Sequence, residues 1–206
     1  KVAMPPKTKF TREEIIQAAF EMAREKGIES VVARELGKKL GTSSSPIFTA
    51  FKNMDEVKTE VRKMAQRCLY DILDEAADYK PVFKRYGMQM IRFAQVEPEL
   101  FKLLFMKEYE QAENVENIID GMGEVTDICC DIIAKDYHLT QEEAKTMFMH
   151  LWTASYGISV MCALKVCKFT EEEIAEMLGR EFAGMMMLIK SGNMEMFYIK
   201  PEKNEE

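Results

Sequence analysis

The 206-residue chain has only two histidines, one tryptophan, and no Cys-x-x-Cys pair among its five cysteines. His138 and His150 are too isolated to build a metal or general-base site. An odd, unpatterned cysteine set is not a disulfide framework and suits a reducing cytoplasm. No metal and no cofactor are therefore expected. Neither a nucleophile–base pair nor a glycine-rich phosphate loop is recognisable, so no catalytic residue is assigned and an enzyme is disfavoured. No apolar run approaches the ~18 residues of a membrane-spanning helix. Residues 1–10 are basic and proline-containing without an apolar stretch, so no secretory leader is expected. Also missing are alternating polar and apolar runs long enough for a sheet, and any internal repeat.

What remains is helical punctuation. Thr11 with Glu14, Thr140 with Glu143 and Thr170 with Glu173 have the spacing of capping boxes, and Asn53 with Glu56 is a looser version. Apolar residues from Ile15 to Ala23 keep helical spacing up to Gly27, a suitable stop. Further helices are expected at 31–40, 43–50, 54–79 (stopping at Lys80–Pro81), 82–96, 98–109, 114–136, 141–166 and 171–190. The fold class is all-α. Cys129 and Cys130 read either as a thiol-reactive pair or as small apolar residues of a core.

Charge is unevenly spread. Residues 1–54 hold ten Lys/Arg against six Asp/Glu, a net of +4, while the remainder holds 18 against 29, a net of −11. A polyanion would bind only the N-terminal end.

That end contains two short helices around a tight turn, Ser30 to Lys52. Gly41 supplies the residue without Cβ that a turn through positive φ needs. On the first helix Val32, Leu36 and Leu40 form the apolar stripe and Arg34, Lys38 and Lys39 point outward. On the second, Ile47 and Phe51 face the core and leave Ser44, Ser45, Phe48 and Thr49 towards solvent. Ser43 suits the N-cap, and Pro46 falls in the first turn, where a missing N–H is tolerated. A first helix that props a second into the major groove is the helix-turn-helix design. The same pattern also occurs in bundles that never touch DNA, and Arg34 would serve equally as a partner for Glu35 or Glu29.

From Phe10 to Val57 the chain resembles the N-terminal domain of the TetR (tetracycline-repressor) family of bacterial regulators. The resemblance rests on Thr11, Ile15, Ala18–Ala19, Gly27, Leu36, Leu40, Gly41, Ser43, Ile47, Phe48, Phe51 and Lys52–Asn53. It implies a three-helix DNA-binding head, and a DNA-contacting set of Arg34, Lys39, Ser43, Ser44, Ser45, Pro46, Phe48, Thr49 and Lys52. Three positions depart from the family pattern. Phe48 stands where a phosphate-contacting Tyr is usual, Gly37 replaces a usual Ala, and Met54 replaces a frequent Lys.

The resulting division is a DNA-binding head at 1–53, a ligand-binding and dimerisation domain at 54–192, and a tail at 193–206. The resemblance implies a repressor acting as a homodimer on a palindromic double-stranded operator, with an effector that shifts the long helix and changes the spacing of the two heads. Helices 141–166 and 171–190 are the expected dimer elements, the second through the seam Ile174, Leu178, Phe182, Met185 and Ile189. An apolar or aromatic effector is expected near Phe105, Met106, Phe148, Trp152 and Tyr156, since the last three repeat every four residues along one helix face. That face and the many methionines also read as dry core. The alternative to a regulator is a helical small-molecule-binding or protein-interaction bundle whose head has lost DNA affinity.

Overall fold

The computed structural model describes residues 10–74, 82–106, 115–120 and 124–192. Within them there are ten α-helices and no strand: α1 (Arg12–Lys26), α2 (Ala33–Lys39), α3 (Ser45–Ala50), α4 (Met54–Asp74), α5 (Val82–Val96), α6 (Pro98–Phe105), α7 (Val115–Asp120), α8 (Glu124–Tyr137), α9 (Gln141–Ala163) and α10 (Glu171–Ser191). The capping boxes form as spaced. Thr11 and Thr170 each accept from the N–H three residues on while the matching Glu accepts from their own N–H, and Thr140 does the same with Glu143.

Several boundaries differ from the expectations. A single 3-10 turn, Ile28–Ser30, follows α1, where nothing was expected. α2 starts at Ala33, so Val32 is its cap residue and lies 44% exposed while Val31 is fully buried. The stripe therefore begins one residue earlier than read, because the extended approach to the helix reverses which side faces in. Of the helix expected at 114–136, α7 and α8 are described while 114 and 121–123 lie outside the described residues; the buried Thr126 hydroxyl of α8 donates to the Ile119 carbonyl of α7 at 2.7 Å. α9 ends at Ala163 rather than 166: Lys165 turns left-handed at φ +58°, with Val166 N–H bonding back to the Met161 carbonyl. The expected stop at Lys80–Pro81 and the tail at 193–206 lie outside the described residues.

The chain packs as two units. The first takes the described residues within 1–79, 89–108 and 159–168; the second takes those within 80–88, 109–158 and 169–206. In the first unit α1 packs against α2, α4 and α6, and α4 against α6. Its core includes Ile15, Ala19, Phe20, Leu36, Ile47, Phe51, Val57, Val61, Leu100 and Phe101, all at most 5% exposed. Arg24 of α1 closes a two-pronged pair with Glu97, which is buried at the start of α6. The second unit is built around Ile119, Cys129, Cys130, Ile133, Ala144, Met147, Phe148, Leu151, Met185 and Ile189. The two cysteines thus join the apolar core, and burial pushes the Cys129 thiol up to about 11. At neutral pH that group is a thiol, a poor nucleophile.

Candidate nucleic-acid interface

The turn between α2 and α3 is closed by two backbone bonds, Thr42 N–H to the Gly37 carbonyl at 2.9 Å and Gly41 N–H to the Lys38 carbonyl at 3.0 Å. This is the Schellman pattern, with Gly41 at φ +66° in the left-handed position. Gly37 has a separate role. A Cβ on it would come within 3.0 Å of the Thr42 carbonyl oxygen and the Ser43 carbonyl carbon. Removing that Cβ lets the turn fold directly onto α2, at a cost of about 1 kcal/mol in helix propensity.

α3 begins one residue later than a Ser43 cap predicts. Ser44 is its cap residue and makes no side-chain capping bond, while Ser43 Oγ accepts from Ser45 N–H at a long 3.4 Å. Ile47 and Phe51 anchor the helix in the core. Of the residues expected to contact DNA, Arg34, Lys39, Ser43, Ser45, Phe48, Thr49 and Lys52 are exposed, and Ser44 and Pro46 are half-buried. Thr49 donates its hydroxyl to the Ser45 carbonyl at 3.1 Å and so keeps its oxygen lone pairs for another donor. Lys39 forms an ion pair with Glu21 at 3.0 Å, and Lys38 one with Glu35 at 2.7 Å. Lys39 would have to leave Glu21 to reach a phosphate.

One residue that sequence reasoning missed holds this face in place. Arg12, in the first turn of α1, donates to the Ala50 carbonyl at 2.9 Å and to Glu56 at 2.8 Å, with its guanidinium 4.1 Å from the centre of the Phe51 ring. Glu56 in turn accepts from Lys52 N–H at 2.8 Å, and its own N–H donates to Asn53 at 2.9 Å. The Lys52 amide, then Arg12, holds the Glu56 carboxyl below its usual range. The arginine fork thus ties the C-terminal end of α3 to α1 and to the start of α4.

The family model for bacterial regulatory proteins, tetR family, matches residues 15–61. Residues 15–61 are a TetR-family domain. No curated protein matches the chain. The TetR-family match spans α1 from Ile15 onward, the 3-10 turn, α2, the glycine turn, α3 and the first third of α4. The chain is accordingly a DNA-binding transcription regulator. No helix among the described residues is long and apolar enough to cross a membrane.

The residues expected near an effector fall in both units. Phe105 and Met106 belong to the first, where Phe105 stacks on Phe101 with centroids 5.0 Å apart. Phe148, Trp152 and Tyr156 belong to the second. There Phe148 is core, and Trp152 stacks on Tyr156 at 5.1 Å with the rings 14° from parallel. The indole Nε1 of Trp152 is buried and has no hydrogen-bond partner among the described residues. The expected α10 seam also has a different use. Ile174, Leu178, Met185 and Ile189 are each at most 6–7% exposed in the isolated chain, and Phe182 rests on Tyr137 at 4.7 Å. These residues already have an intramolecular partner. Met177 and Met187 are the large apolar side chains of α10 left exposed, at 42% and 75%, with Gly184 between them also exposed.

Proposed function

We propose that the chain is an effector-responsive repressor that binds a near-palindromic operator as a homodimer. The head at 1–53 reads DNA, the region 54–192 binds effector and self-associates, and 193–206 is a tail. The observation that carries the proposal is the exposed face of α2 and α3: Arg34, Ser45, Phe48, Thr49 and Lys52 stay in solvent while Leu36, Ile47 and Phe51 fill the core behind them. Guanidinium and hydroxyl groups at such a helix pair suit base edges and phosphates. The net charge of +4 over the first 54 residues of the sequence favours attraction to a polyanion.

Selection of bound fragments from a random duplex pool tests this directly. An enriched near-palindrome is expected, bound with an affinity that falls on a log–log salt plot by about 0.9 per phosphate neutralised. Lys52→Ala should weaken all duplexes alike, and Arg34→Ala should relax one base pair by roughly 1–3 kcal/mol. A pool with no enriched sequence overturns the proposal.

For self-association, Met177, Gly184 and Met187 favour α10 as the paired element, because a bare glycine between two exposed methionines allows close approach of a second helix. Met187→Asp should therefore dissociate the dimer in light scattering at micromolar concentration without touching the core; a monomeric unmodified chain refutes the dimer. For the effector, the unpartnered Trp152 N–H favours an apolar molecule carrying an acceptor oxygen, since a buried donor left unmade costs about 1–3 kcal/mol. Trp152 is the chain's single tryptophan, so its emission reports that place alone. An effector should perturb it, and Trp152→Phe should weaken release from DNA while leaving operator affinity intact. A Trp152→Phe chain that responds normally removes Trp152 from the site.

A further inference from the structure

Phe48 is the one aromatic side chain that the described parts of α1, α2 and α3 leave largely in water, at 49% exposed, whereas Phe20 on α1 is buried at 5% and Phe51, just past α3, at 3%. It sits on α3 beside Thr49 and three residues after Ser45, both exposed, so the three side chains share one face of the helix. A phenyl ring cannot donate or accept a hydrogen bond and so cannot read the polar code of a base edge. The major groove offers it one apolar feature that differs between bases, the C5-methyl group of thymine. From this we infer that Phe48 is a specificity-determining residue, packing its ring on a thymine methyl in the operator while Arg34, Ser45 and Thr49 meet polar groups around it.

The inference rests on the operator-binding proposal above. Its energy source is burial: the exposed half of the ring and the methyl leave water together. Losing one buried methyl-sized group should weaken binding about fourfold, or about 0.8 kcal/mol. Phe48 is 49% exposed and is not one of the buried core residues, so changing it should leave the head folded.

The test uses the full chain and the duplex enriched by selection, with each thymine replaced in turn by deoxyuridine. That change removes the methyl and leaves the hydrogen-bonding edge as it was. Replacement at one thymine, or at its symmetry-related pair, should weaken binding about fourfold per methyl in fluorescence anisotropy at fixed salt. Phe48→Ala should bind the thymine duplex more weakly and be indifferent to the same replacement. Equal binding at every deoxyuridine position overturns the inference, as does a Phe48→Ala chain that keeps the methyl sensitivity. Binding without methyl sensitivity ends the Phe48 assignment alone. Failure to bind any duplex at low salt ends the operator-binding proposal and this assignment with it.

Discussion

Replacing Arg12 with Ala removes three contacts at once: the bond to the Ala50 carbonyl, the pair with Glu56 and the guanidinium over Phe51. The side chain is 38% exposed, so each contact is taken near the low end of its range. A net hydrogen bond of about 0.5–1 kcal/mol, an exposed ion pair of about 0.5 and a cation–π contact of about 0.5–1 give about 2 kcal/mol. That is about thirtyfold in the equilibrium for local opening of α3. Trp152 lies in the other unit, so its fluorescence does not report the head; amide hydrogen exchange does. The Phe51 amide, bonded to the Ile47 carbonyl at 2.9 Å, should lose about thirtyfold protection while amides of α10 keep theirs. Arg12→Lys should recover less than half of the loss, because one ammonium cannot serve the carbonyl and the carboxylate with the fork geometry of arginine. Protection within threefold of the unmodified chain in Arg12→Ala, or full recovery in Arg12→Lys, would refute the bracing role.

Gly27→Ala should cost about 1–3 kcal/mol in urea unfolding, because φ +82° with ψ 161° is glycine territory and the new Cβ would also meet Glu99 Oε2 at 3.0 Å. Arg24→Met should lower thermal stability by about 2 kcal/mol by stranding the buried Glu97 carboxylate, and Arg24→Met with Glu97→Gln should recover most of it. Lys165→Gly should raise stability by about 0.5–1 kcal/mol, since a lysine occupies the left-handed position that ends α9. Glu21, Glu35 and Glu56 all titrate below their usual value of 4.5 through hydrogen bonds, led respectively by Gln17, Lys38 and the Lys52 amide. Folded values below the unfolded ones mean stability that is present above about pH 4.5 and lost as pH falls through the folded values, so acid unfolding should be shallower in Glu56→Gln.

The parts of the fold written in local chemistry were legible in the sequence. Thr11, Thr140 and Thr170 act within four residues of themselves, and Gly41 answers to its own φ, so spacing alone located them. Ile47 and Phe51 were readable as core and Phe48 as exposed because one helix face decides all three. Val32 was misplaced because the residue before a helix is extended, and helical periodicity does not apply to it. Arg12 was missed because its partners lie 38 and 44 residues away, and nothing near Thr11 announces them. The α10 seam shows the opposite limit. Its periodicity was real, but an apolar stripe does not say whether its partner is the same chain or a second copy.

Gly37 carries a consequence for how such a head acquires a new target. With the turn backbone resting against α2, and pinned by the Thr42 and Gly41 amides, α2 and α3 form a single tile of fixed dimensions. The distance from Arg34 to Phe48 is then set by the backbone of the turn, so under the proposed operator contacts the number of base pairs between them would be fixed as well. On that proposal, drift towards another operator would proceed by exchanging side chains at 34, 45, 48 and 49, one letter at a time. An inserted residue in the turn would change the ruler itself, and no compensating operator spacing within one half-site could follow it.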